Sequence, residues 1–130
     1  LRRLATVDMA GPWLALASSS TRLIVESASR GMVADWVGWQ PGTGFVTDVS
    51  TGGIGSYDAI RVYLWLGMST QSDPLARRQT AVLGGPALWL TGHADLPEKI
   101  ETASGAVSGT APTGFRAAIL PYLKARGENA

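Results

Sequence analysis

The run Ser56-Tyr57-Asp58-Ala59-Ile60-Arg61-Val62-Tyr63-Leu64-Trp65-Leu66-Gly67-Met68 constrains this chain more than any other stretch. It reads as a helix that is apolar nearly all round, and such a helix belongs mostly inside a larger fold. Its first turn nonetheless carries an acid and a base three residues apart, which puts Asp58 and Arg61 on one face. Charged groups on a core helix call for a partner or a task, because desolvating them is costly. Ser56 is the expected N-cap, and Asp58 then lies at the positive end of the helix dipole. That position favours the ionised carboxylate, which suits a base better than an acid. Two plainer readings stay open. Asp in a first turn is ordinary capping chemistry, and an Asp–Arg pair is often only structural.

Composition narrows the partners. The 130 residues are enough for one domain, and 11 basic against 10 acidic residues leave a net charge of +1 with no basic stripe. Nucleic acid and anionic membrane surfaces are therefore not the expected partners. Without cysteine there is no disulfide framework or thiolate metal site, and a single histidine excludes the multi-His zinc arrangements. Neither a metal nor a cofactor is expected. No apolar run is long enough for a membrane span, and no signal peptide opens the sequence. Charged residues make up only 16%, against about 25% in an average soluble domain. So few charges barely cover a small domain, which points to a portion of a larger chain; the Leu1 start agrees.

Local signals give a helical array with short hairpins. Residues 1–10 read as helix ending at Gly11-Pro12, and Pro12 opens a second helix to about Ser29, with Gly31 as its C-cap residue. Residues 32–36 are irregular. Val37–Gln40 and 45–48 flank Pro41-Gly42-Thr43-Gly44 as a hairpin. Residues 50–55 form a Gly-rich loop. Asp73-Pro74 marks an N-cap and first position of a helix to about Leu83, where Gly84-Gly85-Pro86 breaks or kinks it. Residues 97–109 suggest a second small hairpin or an extended loop. Phe115 to about Lys124 is a last helix, with a bend expected at Pro121, and the polar tail from Arg126 is expected to fray. No βαβ alternation occurs.

Most catalytic motifs fail. Gly53-Ile54-Gly55-Ser56-Tyr57-Asp58 puts Asp58 where a dinucleotide loop needs its third glycine, and no Walker pattern or nucleophile elbow is present. His93 sits in a polar loop and reads as exposed or structural. Of the five tryptophans, Trp36 and Trp39 lie by the hairpin instead of on a helix stripe, where indole faces suit sugar rings as well as a core.

The run Ser56 to Met68 resembles the catalytic-base helix of the family 8 glycoside hydrolases. Ala10-Gly11-Pro12-Trp13 resembles that family's Gly-Ala-Pro-Trp turn. Asp35-Trp36-Val37 resembles its Pro-Asp-Trp-Val, with Ala34 replacing the proline. Ser72-Asp73-Pro74, Leu96-Pro97-Glu98-Lys99-Ile100 and the stretch from Pro112 to Leu123 also have counterparts, in the same order. The likeness is greatest to the bacterial endo-1,4-β-glucanases that accompany cellulose synthesis. It implies a mainly α fold, part of an (α/α)6 barrel, in which residues 1–130 are a C-terminal portion of a single catalytic domain. It also implies an inverting mechanism, with two carboxyl groups flanking the scissile bond. By resemblance Asp58 is the general base, Tyr57 and Arg61 line the cleavage subsite, and Asp35 and Trp36 shape the cleft. The family's general-acid glutamate and the Ala-Ser-Asp motif after it have no counterpart here; Glu26, Glu98, Glu101 and Glu128 lack the acid's surroundings. The chain by itself is therefore expected to be inactive or nearly so. The implied partners are a β-1,4-glucan chain, the missing N-terminal half of the barrel and the cellulose-export machinery; the implied location is periplasmic or secreted. The alternatives are a non-catalytic glycan-binding or scaffold remnant using Trp36, Trp39 and Tyr57, and a plain helical module locked by Asp58–Arg61.

Overall fold

A computed structural model describes residues 1–127, and Glu128 lies outside the described residues. Six helices and five short strands are found there: α1 (Arg2–Val7), α2 (Trp13–Ser27), β1 (Val37–Gln40), β2 (Gly44–Thr47), β3 (Ile54–Gly55), α3 (Ala59–Gly67), α4 (Pro74–Val82), α5 (Gly85–Leu90), β4 (Pro97–Glu101), β5 (Val107–Thr110) and α6 (Thr113–Arg126). The expected mainly helical array is present, the hairpin expected around Pro41 forms, and the stretch over 97–109, read as a small hairpin or an extended loop, is a hairpin.

The core lies where α3 crosses α6. Tyr63 and Leu66 from α3 pack with Ile119, Tyr122 and Leu123 from α6, and Leu83 is fully enclosed beside them. Removing such side chains from water contributes about 1.5–3 kcal/mol each. The two tyrosine rings meet edge to face at 5.3 Å, and the buried hydroxyl of Tyr122 donates to the Leu83 carbonyl. The Tyr63 hydroxyl accepts from Val33 N at 3.0 Å. Burial pushes the Tyr63 phenol far above its ordinary range, so it acts as a neutral hydrogen-bonding group.

Asp73 caps α4 as expected, accepting from Leu75 N at 2.9 Å, with Pro74 opening the helix. Its carboxylate also takes two hydrogen bonds from Arg2, which fastens α1 to this cap. Buried Thr21 of α2 accepts from Gln79 of α4 at 2.8 Å. Hairpin β1–β2 pairs Trp39 with Phe45, and Arg22 of α2 lies 5.8 Å and 5.9 Å from their ring centres, seating the hairpin on the helix.

Several expectations need correction. The second helix stops at Ser27 with Ala28 as C-cap, and Pro12 is its N-cap residue instead of its first position. Gly31 does not cap it. Arg30 and Gly31 both take positive φ and close a tight turn bridged by Ser29 and Met32, because the chain must reverse there to bring residues 33–35 beside β3. The Gly-rich loop ends in a true strand: β3 pairs antiparallel with β4, and β4 with β5, so the late hairpin becomes a three-stranded sheet. The helix of greatest interest begins at Ala59, and Trp65 on it is exposed, so α3 buries one stripe only.

Candidate functional site

The site is built at the head of α3. Gly55 of β3 has no side chain, and a Cβ there would lie 2.4 Å from the Val33 carbonyl oxygen. The segment after the Arg30–Gly31 turn can therefore run against β3, with Asp35 N donating to Ile54 O at 2.8 Å. Asp35 is thereby placed under the first turn of α3, 24 residues away in sequence from the amide it caps. Its Oδ1 accepts from the backbone N–H groups of Ser56 at 2.8 Å, Asp58 at 3.0 Å and Ala59 at 2.7 Å, and Oδ2 accepts from the Ser56 hydroxyl.

This arrangement reassigns the capping chemistry. Ser56 was expected to cap the helix, but its hydroxyl is turned to Asp35. Asp58 occupies the N-cap position and its side chain makes no capping hydrogen bond. The orphan N–H groups of the first turn are satisfied by Asp35 instead. Partial burial acts to raise the Asp35 pKa. The hydrogen bonds from the Ser56 hydroxyl and the three amides outweigh it and hold the carboxyl below the usual carboxylate range. Asp35 is thus a fixed anion with its lone pairs engaged, well suited to holding the helix end and ill suited to delivering a proton.

Asp58 is released from that duty. Its carboxylate is held by Arg61 Nη2, one turn along, and the two side chains are 39% and 63% exposed. An ion pair this open to water contributes only about 0–1 kcal/mol. Structural locking is therefore a poor account of it. Both residues line an open groove of about 450 Å³ with Ile24, Trp65 and Gln79. An adjoining groove of about 260 Å³ shares Ile24, Asp35 and Val62 with it and is lined on its other side by Trp36, which is 61% exposed. The structure therefore gathers Asp58, Arg61, Asp35 and Trp36 along one continuous depression.

Tyr57 lines neither groove. Its hydroxyl donates to Glu98 Oε1 at 3.2 Å, and its ring stands edge-on to Phe115 at 5.1 Å. The hydrogen bond to Glu98, then desolvation, raises the phenol above its ordinary pKa. Trp39 is exposed on the hairpin. Sequence reasoning missed the capping role of Asp35 and the Tyr57–Glu98 contact. Neither has a local signal, since the partners are 21 or more residues apart.

Among the described residues, Asp35 and Asp58 are the carboxylates lining the groove. Glu26 is paired with Arg22 at 2.9 Å, and Glu101 accepts from Ser104. No group of three or more His, Cys, Asp or Glu is gathered where it could hold a metal ion among the described residues. A separate cavity of about 580 Å³, lined by His93, Asp95 and Arg116 among others, contains none of the candidate residues. His93 there is stacked on Trp89 at 3.7 Å and bonded through Nδ1 to the Trp89 carbonyl, a structural position.

Comparison with known proteins identifies the family. The model of the glycosyl hydrolases of family 8 matches residues 1–130. An endoglucanase of Xanthomonas axonopodis pv. citri (strain 306) is 48% identical over the whole chain, which covers 34% of that protein. An endoglucanase of Escherichia coli (strain K12) is 38% identical over 92% of the chain, covering 32% of it. In three dimensions the chain is similar to the crystal structure of an endo-1,4-D-glucanase from Vibrio fischeri ES114. The TM-score is 0.75 and the identity 36%, over 82% of this chain and 30% of that one. The chain spans about a third of the length of the relatives it matches.

Proposed function

Because this chain belongs to family 8 of the glycosyl hydrolases and has the fold of part of an (α/α)6 barrel, we propose that it is the base-bearing, C-terminal portion of an inverting endo-1,4-β-glucanase. Asp58 is the general base. One observation carries the reading: a carboxylate at a helix head that makes no capping bond, is held by an arginine, and opens on a groove. In the reaction a water donates a proton to the Asp58 carboxylate as its oxygen bonds to the anomeric carbon. The glycosidic C–O bond breaks, and the departing oxygen takes a proton from a carboxylic acid. Asp35 is the wrong group for that acid, since its surroundings favour the ionised form. The acid is supplied by the remaining part of the barrel, so this portion alone does not turn over. Arg61, in contact with the Asp58 carboxylate, aims it. Trp36 offers an apolar face to a sugar ring farther along the depression. The substrate is a β-1,4-glucan, the enzyme acts in the periplasm or outside the cell, and the cellulose-export machinery is its neighbour. No helix among the described residues is long and apolar enough to cross a membrane.

The test is Asp58→Asn in the enzyme that carries the complete barrel. Release of reducing sugar from a soluble β-1,4-glucan is expected to fall at least about 10²-fold, the scale of lost general-base catalysis. The unfolding midpoint should stay unchanged. Retained activity, or loss of the fold, overturns the assignment.

A second reading has one observation in its favour, the exposure of both Trp36 and Trp39. A glycan-binding remnant would bind cello-oligosaccharides as this chain alone, with Trp36→Ala abolishing binding and Asp58→Asn leaving it intact.

A further inference from the structure

The backbone of Asp58 is held from inside its helix and from outside it. Its carbonyl accepts from Arg61 N at 3.2 Å. Its amide donates to Asp35 Oδ1 at 3.0 Å, and the same oxygen takes the amides of Ser56 at 2.8 Å and Ala59 at 2.7 Å. Ser56 and Asp58 precede α3 and Ala59 is its first residue, so none of these amides has a partner in the helix ladder. Asp35 is in turn fixed from its own side. Its amide donates to Ile54 O at 2.8 Å, and the Ser56 hydroxyl holds Oδ2. Gly55 permits this approach, since a Cβ there would lie 2.4 Å from the Val33 carbonyl oxygen. Asp35 and Asp58 also line the same groove, together with Arg61 and Trp65.

We infer that Asp35 is a positioning residue for hydrolysis, its Oδ1 fixing the Asp58 backbone so that the base meets the groove at a set place. The inference rests on Asp58 being the base. Aspartate side chains readily bond backbone N–H groups close by in sequence. With Asp35 in place those N–H groups are already taken, and the Asp58 carboxylate keeps Arg61 as its partner beside the groove. Without Asp35 the first turn loses its outer hold, and its unpaired amides compete for the Asp58 carboxylate. Either change displaces the base, and a misplacement of about 1 Å can cost roughly 10²-fold in rate. The working part is an acceptor oxygen at a set distance, not the negative charge. Asp35 therefore acts through Asp58 and needs no contact with water or sugar.

The experiment uses the enzyme with the complete barrel, well below its unfolding midpoint, and compares Asp35→Ala, Asp35→Asn and Asp35→Glu, with Asp58→Asn as control. Asp35→Ala removes the acceptor, and kcat on a soluble β-1,4-glucan should fall at least about tenfold with KM within about twofold. Asp35→Asn keeps an oxygen at the same place and can donate its amide to the Ser56 hydroxyl, so it should recover most of that loss. Asp35→Glu keeps the charge but carries it one methylene farther, and should lose kcat much as Asp35→Ala does. Adding Asp35→Ala to the Asp58→Asn enzyme should leave its affinity for cellopentaose unchanged. A parent-like kcat in Asp35→Ala would overturn the inference. So would an active Asp35→Glu beside an inactive Asp35→Asn, or a KM or cellopentaose affinity that moves with Asp35→Ala. If Asp35→Ala does not fold, the contrast between Asp35→Asn and Asp35→Glu decides alone. A fully active Asp58→Asn enzyme would instead strike the base assignment beneath the inference, a distinct result.

Discussion

Asp35 and Asp58 are two carboxylates at one helix end with different work, and what separates them is the set of donors each one faces. Asp35 receives three backbone N–H groups and a hydroxyl; Asp58 receives one guanidinium. Replacing Asp35 by Ala is expected to lower stability by about 1–2 kcal/mol, the cost of a lost N-cap, in a urea titration at pH 7. The dependence on pH has a definite sign. The Asp35 pKa is lower in the folded chain than its ordinary value, so folding favours the ionised form. Its contribution is complete above the ordinary carboxylate range near pH 4 and fades as the pH falls through the lowered folded value. Urea titrations at successively lower pH should therefore show the gap between parent and Asp35→Asn closing in acid. A gap that widens there would contradict the capping geometry.

At the level of elements, the crossing of α3 and α6 sets where the site helix points. Gly67, the last residue of α3, lies so close to α6 that a Cβ would come 2.1 Å from Tyr122 N and 2.3 Å from the Pro121 carbonyl carbon. Pro121 has no N–H of its own to give to the helix ladder, and the backbone between it and Tyr122 is what Gly67 rests on. Gly67→Ala should cost about 1–3 kcal/mol through overpacking, read as a lowered thermal midpoint and weaker near-UV circular dichroism from the Tyr63–Tyr122 pair. An unchanged midpoint would mean that the two helices slide apart freely. Sequence periodicity located both helices but not this contact, because closeness of approach depends on which residue of one helix faces which of the other.

For the molecule as a whole, the notable property is uncovered apolar surface. Leu4 on α1, Leu14, Leu16 and Leu23 on α2, Trp65 on α3 and Leu88 on α5 are all exposed, in a chain matching about a third of its relatives' length. Surface of this kind marks places where other parts of a protein dock. The isolated chain is expected to self-associate as its concentration rises, seen as a growing sedimentation coefficient. Leu16→Glu together with Leu23→Glu should suppress that association without altering helical content. A monomer at all concentrations would show that the exposed leucines form no adhesive face.

Much was legible in order along the chain: the Asp73-Pro74 cap, the Pro41–Gly44 turn, the helix bearing Asp58 and Arg61, and the family likeness carried by these motifs. Such features are encoded by neighbouring residues, since capping, turn formation and helical spacing act over a few positions. The sequence alone also excluded disulfides and thiolate metal sites, a matter of which atoms exist. Only the tertiary structure assigned the cap to Asp35 over Ser56 and left the Asp58 side chain with no capping bond, beside a groove. It alone brought Glu98 to Tyr57 and left Trp65 exposed. These outcomes depend on segments distant in sequence, joined by the Arg30–Gly31 reversal and by strand pairing through β3. Hydrogen bonds and burial are settled by proximity in space, which chain order does not specify.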